Sequence, residues 1–239
     1  MSAQNAAKIG EAEDADTVVV RFRGHAFEPL TSGALFWPAH EALLVADLHL
    51  EKMSSFARAG RLLPPYDTGM TLSRLEADIE RTGARRVIAL GDSFHRDEGT
   101  TSLLPHDRAR IDRMLERTRW TWISGNHDPS PHGIGGDCCA ELLLDGLRLV
   151  HEPQRRSAGI VAGHLHPAAR VLINGRSVRR ACFVHDERLM LLPAYGSATG
   201  SLNVLSPAFS GLFDRAGLQV VMLGRDRLYP VSPRRLVAG

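Results

Sequence analysis

Five short motifs occupy the chain between residues 47 and 166, each directly after an apolar run. They are Asp47-Leu48-His49, Gly91-Asp92-Ser93-Phe94-His95, Gly125-Asn126-His127-Asp128, Val150-His151-Glu152 and Gly163-His164-Leu165-His166. Their polar members are Asp, Asn and His, a mixed oxygen and nitrogen donor set that suits manganese, iron or zinc. Six of the eleven histidines lie in these motifs, at positions 49, 95, 127, 151, 164 and 166. No cysteine takes part, which argues against a structural zinc site. Side chains alternate along a strand, so His164 and His166 share a face, as do Asp47 and His49. Each such pair can serve one cation or two neighbouring ones. Glycines ahead of Asp92, Asn126 and His164 permit tight turns and close backbone approach. A lone D-x-H arises readily by chance; five motifs in this order do not.

The elements that must position these residues can be read from periodicity. Thr17 to Arg23 and Ala34 to Trp37 read as strands. Glu41 to Ala46 is an unbroken apolar run, the pattern of a strand buried on both faces. Residues 54 to 66 read as a loop. Asp67 or Thr68 can cap a helix reaching about Arg81, with Met70, Leu72, Leu75 and Ile79 on its apolar face and Gly83 as its stop. Arg86 to Leu90 is another buried strand, Asp107 to Thr118 a charged helix, and Arg119 to Ser124 a third strand. On that helix, Arg108, Arg110, Arg113 and Arg117 mix with Asp107, Asp112 and Glu116 as a salt-bridged surface. Strand, helix, strand, helix, strand implies parallel pairing with right-handed crossovers.

The pattern then changes. Ala140 to Val150 reads as a hairpin around Asp145-Gly146. Short strands follow at Gly159 to Ala162, Val171 to Ile173, Ala181 to His185 and Arg188 to Leu192, with a closing hairpin over Leu218 to Leu223 and Arg227 to Pro230. The expectation is two sheets packed face to face with helices outside. The first half supplies mainly parallel strands and the second mainly antiparallel ones. Ligands collect at the carboxyl ends of strands in such sheets, so five loops can converge on one site.

Bulk properties set limits. The chain has 239 residues, 44% of them hydrophobic and 23% charged, the composition of a globular protein. Residues 17–239 are read as one domain behind a polar N-terminal tail over residues 1–16. That tail has neither the basic start nor the apolar core of a signal peptide. No apolar run is long enough to cross a bilayer, so no membrane partner is expected. Cys138, Cys139 and Cys182 are odd in number and partly adjacent, which favours buried thiols over a disulfide framework and points to the cytoplasm. Net charge is +2, from 29 Lys and Arg against 27 Asp and Glu, and only Lys8 and Lys52 are lysines. Arginine binds phosphate bidentately, but the balance fits a plain solvated surface as well as a nucleic-acid partner.

Taken together, the motifs resemble the calcineurin-like metallophosphoesterase superfamily. The stretches VADLHLEK, LGDSFHR, ISGNHD, VHEP, AGHLHP and LPAYGSATG are similar, more closely, to the bacterial ligase-associated DNA damage response endonucleases of the PdeM type, and extend the match to about Gly200. The resemblance implies an α/β fold: a four-layer α-β-β-α sandwich of two mixed sheets flanked by helices. It implies two divalent cations, manganese first, with iron or zinc as alternatives. Asp47, His49 and His166 would hold one, Asn126, His151 and His164 the other, with Asp92 bridging them. His127 would be the catalytic histidine and Asp128 would orient it. Glu152 and Pro153 follow His151 where the wider superfamily often has glycine. The implied reaction is in-line attack on phosphorus by a hydroxide between the two ions, with His127 stabilising the charge on the phosphoryl oxygens or protonating the leaving oxygen.

The resemblance implies DNA as substrate, in repair, with functional association to a DNA ligase and a helicase. Nucleotide or phosphomonoester hydrolysis keeps the same chemistry on another substrate, and a non-catalytic scaffold would mark a different class. His95 and Arg96 are candidate substrate contacts. Arg58, Arg61, Arg155-Arg156 and Arg179-Arg180 read as solvated charges before they read as phosphate contacts. Tyr195-Gly196-Ser197 reads as a glycine-rich turn in preference to a rim of the site.

Overall fold

The computed structural model describes residues 18–58, 66–155 and 157–238. The expectations for residues 1–17, Arg61 and Arg156, and for the side chain of Arg58, lie outside the described residues. The chain opens with β1 (Val20–Phe22), β2 (His25–Pro29), β3 (Leu35–Trp37) and β4 (Ala42–Val45), followed by α1 (Lys52–Arg58) and α2 (Asp67–Thr82). Next come β5 (Arg86–Leu90), α3 (Gly99–Ser102), α4 (Pro105–Arg117), β6 (Arg119–Ile123) and β7 (Asp137–Cys139). These seven strands form one sheet in chain order. The steps from β1 to β4 are antiparallel, and those from β4 to β7 are parallel. The first half is therefore evenly mixed, because the missed strand β2 turns the N-terminal segment into a meander.

The second sheet holds β8 (Glu141–Leu144), β9 (Leu147–Val150), β10 (Ile160–Ala162), β11 (Pro167–Ile173), β12 (Arg176–His185), β13 (Leu189–Leu191), β14 (Leu202–Asn203), β15 (Gln219–Leu223) and β16 (Leu228–Val231). It too is mixed. Adjacent β9, β10 and β13 run parallel, while β12 is antiparallel to β11, β13 and β15.

Period-two alternation builds the layers. In β4, Leu43 and Val45 face the helices, whereas Ala42 and Leu44 face the other sheet. In β5 and β6 the same split sends Val87, Ala89, Trp120 and Trp122 outward and Ile88, Leu90 and Ile123 inward. Leu72, Leu75 and Ile79 of α2 and Ile111 and Met114 of α4 cover the outward set. From the second sheet, Leu147, Leu149, Val161, Phe183, Met190 and Val221 complete the inter-sheet core. Its far face is covered by Val204, Phe209 and Leu212, from a segment that includes a single 3-10 turn. Burying each such aliphatic side chain contributes roughly 1.5–3 kcal/mol.

Several local expectations shift. Residues 54–58 belong to α1, not to a loop. Asp67 carboxylate accepts the Met53 amide (3.1 Å) at its N-terminus, an anchor from outside the helix that periodicity cannot show. Asp67 and Thr68 therefore do not cap α2, whose N-cap, Tyr66, makes no side-chain bond. Thr68 hydroxyl instead donates to Glu51 (2.9 Å). Gly83 ends α2 in the left-handed conformation, as expected. Met70 is exposed, since it falls just off the buried stripe. Cys182 is buried, but Cys138 is exposed on the edge strand β7.

Tyr195 is wholly buried between α2 and the end of β4. Its hydroxyl donates to Asp78 (2.8 Å), its amide to Ala46 carbonyl (2.8 Å), and the Arg74 guanidinium lies 4.5 Å over its ring. The turn read from sequence thus ties the helix layer to the segment leading into Asp47. Removing the hydroxyl leaves a buried carboxylate short of a donor, at a cost of about 1–3 kcal/mol. Tyr195→Phe is expected to lower the unfolding free energy by that amount, read as a lower urea midpoint at an unchanged slope; an unchanged midpoint would mean that the bond is replaced.

Candidate metal centre

All five motifs sit where parallel strands end. Asp47, Asp92 and Asn126 follow β4, β5 and β6, which are neighbours in the first sheet. His151 and His164 follow β9 and β10, neighbours in the second. The ladders continue briefly past the strands. His49 amide donates to Asp92 carbonyl (2.9 Å), Gly163 amide to His151 carbonyl (3.1 Å), and Gly196 amide to Asp47 carbonyl (3.1 Å). Two loop sets from two sheets therefore meet over the inter-sheet core.

The backbone there is strained. Asp47, His49, Asp92, His164 and His166 all have positive φ, at 54°, 43°, 48°, 69° and 46°. Each such non-glycine residue costs on the order of 1 kcal/mol or more and persists only when its surroundings impose it. The strain falls on the residues that the motifs singled out. Close approach explains two glycines. A Cβ on Gly91 would lie 2.5 Å from the His151 ring, and one on Gly125 would lie 2.2 Å from Asp92 Oδ1.

The potential donor atoms converge in two groups. His151 Nδ1 donates to Leu90 carbonyl (2.9 Å), so its Nε2 carries a lone pair. That lone pair faces Asn126 Oδ1 at 2.9 Å, His164 Nδ1 at 3.1 Å and Asp92 Oδ1 at 3.4 Å. His166 Nδ1 donates to Gly200 carbonyl (3.1 Å). Its Nε2 lies 3.3 Å from Asp47 Oδ1 and 3.4 Å from His49 Nε2. His49 Nε2 in turn lies 3.6 Å from Asp92 Oδ2. Asp92 thus turns one oxygen to each group. Asp47 carboxylate also accepts the His164 amide (2.9 Å).

Burial decides the protonation of this cluster. It pushes His49 down to about 2, helped by His166 beside it, and it lowers His164. It raises the Asp92 carboxyl despite the opposing pull of His151. For His166, burial is outweighed by the hydrogen bond to Asp47, leaving it above an ordinary imidazole. Metal binding requires imidazole nitrogens free of protons, the state that burial favours at His49 and His164. His49 Nδ1 is buried without a partner. The residues fit divalent cations. Asp47, His49 and His166 bring donor atoms within 4.8 Å of one another, as do Asp92, His151 and His164.

His127 stands at the open side, with its side chain 41% exposed and Nε2 4.0 Å from Asp92 Oδ2. Its amide donates to Asp92 Oδ1 (2.9 Å), which fixes the loop to the centre. His95 stacks on its ring at 5.1 Å and 24°, and burial lowers His95 to about 4. His49, His95 and His127 form a third group of donors within 4.8 Å. Arg96 is exposed.

Among the described residues, Asp128 makes no hydrogen bond to His127. Its oxygens are occupied by the amides of Gly125 (3.2 Å) and Phe94 (3.0 Å) and by His132 Nε2 (3.0 Å). A fully buried carboxylate needs those donors, so it locks the loops of Asp92 and Asn126 together instead. His132 completes this lock from between Phe94 and Trp122. Sequence reading missed it because it stands outside every motif.

The chain is 30% identical to the nuclease MPE of Pseudomonas putida, over 90% of this chain and 100% of that one, with a TM-score of 0.68. It is a calcineurin-like metallophosphoesterase. Yfce, a phosphoesterase from E. coli, matches more remotely, at 16% identity over 82% of this chain and 96% of that one, with a TM-score of 0.38. No family model matches the sequence, and no curated protein does. As a metallophosphoesterase, the protein is a metal-dependent phosphoester hydrolase, and its Asp and His clusters could hold divalent metal.

Gly125→Ala tests the packing of this metallophosphoesterase centre directly. The added methyl must displace Asp92, so metal content after dialysis against manganese is expected to fall well below wild type while the far-UV circular dichroism is retained. Full metal content would show that the loop can yield.

Proposed function

We propose that the protein is a two-ion phosphodiesterase that cleaves DNA. The observation that carries the two-ion reading is the placing of Asp92, with Oδ2 toward His49 and Oδ1 toward His151. Asp47, His49 and His166 would hold one cation, Asn126, His151 and His164 the other, and Asp92 both. Manganese is the first choice for this oxygen and nitrogen set, with iron or zinc as alternatives. Two such cations supply an activated water and neutralise charge on the phosphoryl oxygens.

The remaining work belongs to the chain. His127 faces the solvent side of Asp92, where it can donate a proton to the departing oxygen. His95 stacks flat on His127 and limits the rotamers that ring can adopt. Asp128 and His132 hold the two loops that carry Asp92 and His127. The choice of DNA rests on the likeness to a nuclease across nearly the whole chain. A place in bacterial repair, beside a DNA ligase and a helicase in the cytoplasm, rests on the motif resemblance to the ligase-associated endonucleases.

The test uses metal-stripped protein reloaded with manganese. Hydrolysis of bis-p-nitrophenyl phosphate together with nicking of plasmid DNA is the expected result; activity on the mono-ester alone would overturn the DNA reading. His127→Ala is expected to keep wild-type metal content and lose about 10²–10⁴-fold in plasmid nicking, the usual scale for a general acid. Asp92→Asn is expected to lose both metals and all turnover. Adding manganese to the stripped wild type should raise its melting temperature, by the equivalent of roughly 2.7 kcal/mol at a hundred times Kd. Asp92→Asn should show no such rise.

A further inference from the structure

Charge in this protein is unevenly placed. The chain is nearly neutral, yet residues 153–185 contain Arg155, Arg156, Arg170, Arg176, Arg179 and Arg180 and no Asp or Glu. His164 and His166 lie within the same stretch. Four of these arginines sit on the β11–β12 hairpin, whose first strand begins one residue after His166.

Some arginines elsewhere are paired with acids. Arg108 meets Asp112 at 2.9 Å, Arg110 meets Glu76 at 2.6 Å, Arg148 meets Glu141 at 2.6 Å and Arg188 meets Asp186 at 3.5 Å. Among the described residues, no carboxylate lies within ion-pair distance of Arg170, Arg176, Arg179 or Arg180. Arg170 reaches only Ser177 hydroxyl (3.3 Å), and Arg179 the Ser201 carbonyl.

Register separates the four into two faces. Arg170 is directly opposite Arg179. Arg179 shares its face with Phe183, which packs between the sheets, so this face continues the inter-sheet surface outward past the end of the sandwich. Arg176 and Arg180 share the other face with Val178 and Cys182. The Arg179 contact also links the first face to the metal centre. Ser201 follows Gly200, whose carbonyl accepts the bond from His166 Nδ1.

We infer that the Arg170–Arg179 face of this hairpin is the track along which a polynucleotide backbone leaves the metal centre. The inference rests on the phosphodiesterase reading above and adds where the chain flanking the scissile bond lies. Arg170 and Arg179, directly opposite each other, set two guanidiniums side by side, enough for two neighbouring phosphates. Unpaired guanidiniums in an acid-free stretch provide the charge such a backbone requires.

The experiment is fluorescence anisotropy of a labelled single-stranded oligonucleotide, with the protein kept in EDTA so that nothing is cleaved, at a series of salt concentrations. Arg170→Gln/Arg179→Gln is expected to weaken binding on the order of tenfold or more at 0.1 M salt and to make the slope of log K against log salt shallower by about 1.4, two phosphate contacts' worth. Arg176→Gln/Arg180→Gln removes the same charge from the other face and is expected to change the slope by less than half as much. Equal losses from the two double variants would reduce the effect to net charge and overturn the track. If the first double variant melts early, Arg170→Gln alone keeps the Arg179–Ser201 contact and is expected to lose about half the slope change. Wild-type binding with a slope unmoved by either variant would sink the track and leave the nuclease reading standing. Wild-type protein that hydrolyses the bis-ester but neither binds nor nicks DNA would sink both. Binding to anionic phosphatidylserine vesicles that the first variant loses, with oligonucleotide binding intact, would assign the face to a membrane and overturn the inference.

Discussion

The open end of this sandwich is arranged around potential metal donors crowded against one another. His151 Nε2 points its lone pair at an amide oxygen, a second imidazole and a carboxylate, and His166 Nε2 meets a carboxylate and another imidazole. Such a grouping is repulsive in a buried place unless positive charge lies between its members. The fold sustains it by fixing the outer nitrogens. Leu90 carbonyl accepts the hydrogen bond from His151 Nδ1, and Gly200 carbonyl accepts that from His166 Nδ1. Five left-handed backbone positions then hold the inner atoms where relaxed strands would not put them. Stability is spent at this end so that a divalent cation finds its ligands already in place.

The supporting structure is concentrated on the loops and not on the imidazoles alone. Asp128, with no exposed surface, ties Gly125 to Phe94 and recruits His132. On the opposite side, Tyr195 and Gly196 run beside Ala46 and Asp47, and Asp78 anchors the tyrosine to α2. The helix layer therefore reaches the chemistry through two buried carboxylates, neither of which belongs to a donor group.

Much of this was legible in the sequence, and the reasons are specific. Chemistry-bearing side chains recur at short spacings just after apolar runs, so the five motifs could be found without knowing the pairing of the strands. The buried strands β4, β5 and β6 announce themselves as continuous apolar stretches. What escaped depends on contacts between distant segments. Helix α1 is held by Asp67, fourteen residues on. Strand β2 (HAFEP) ends in proline and carries no alternation. Edge strand β7 has three residues, two of them exposed. Asp128 beside His127 invites the inference that it orients that ring, because neighbours in sequence suggest partnership. Its real partners come from residues 94, 125 and 132, brought together only by the fold.

The donors are divided between the sheets. Asp47, Asp92 and Asn126 belong to the first, while His151, His164 and His166 belong to the second. During synthesis, the N-terminal sheet can emerge from the ribosome with all seven strands before any histidine of the second set emerges. A chain that stops short of His166 therefore carries half a centre, and catalytic competence arrives only once the last donor has been added and the two halves have closed on each other. Dividing the donors in this way makes activity report on complete assembly, so an unfinished or half-docked chain stays inert toward phosphoesters around it.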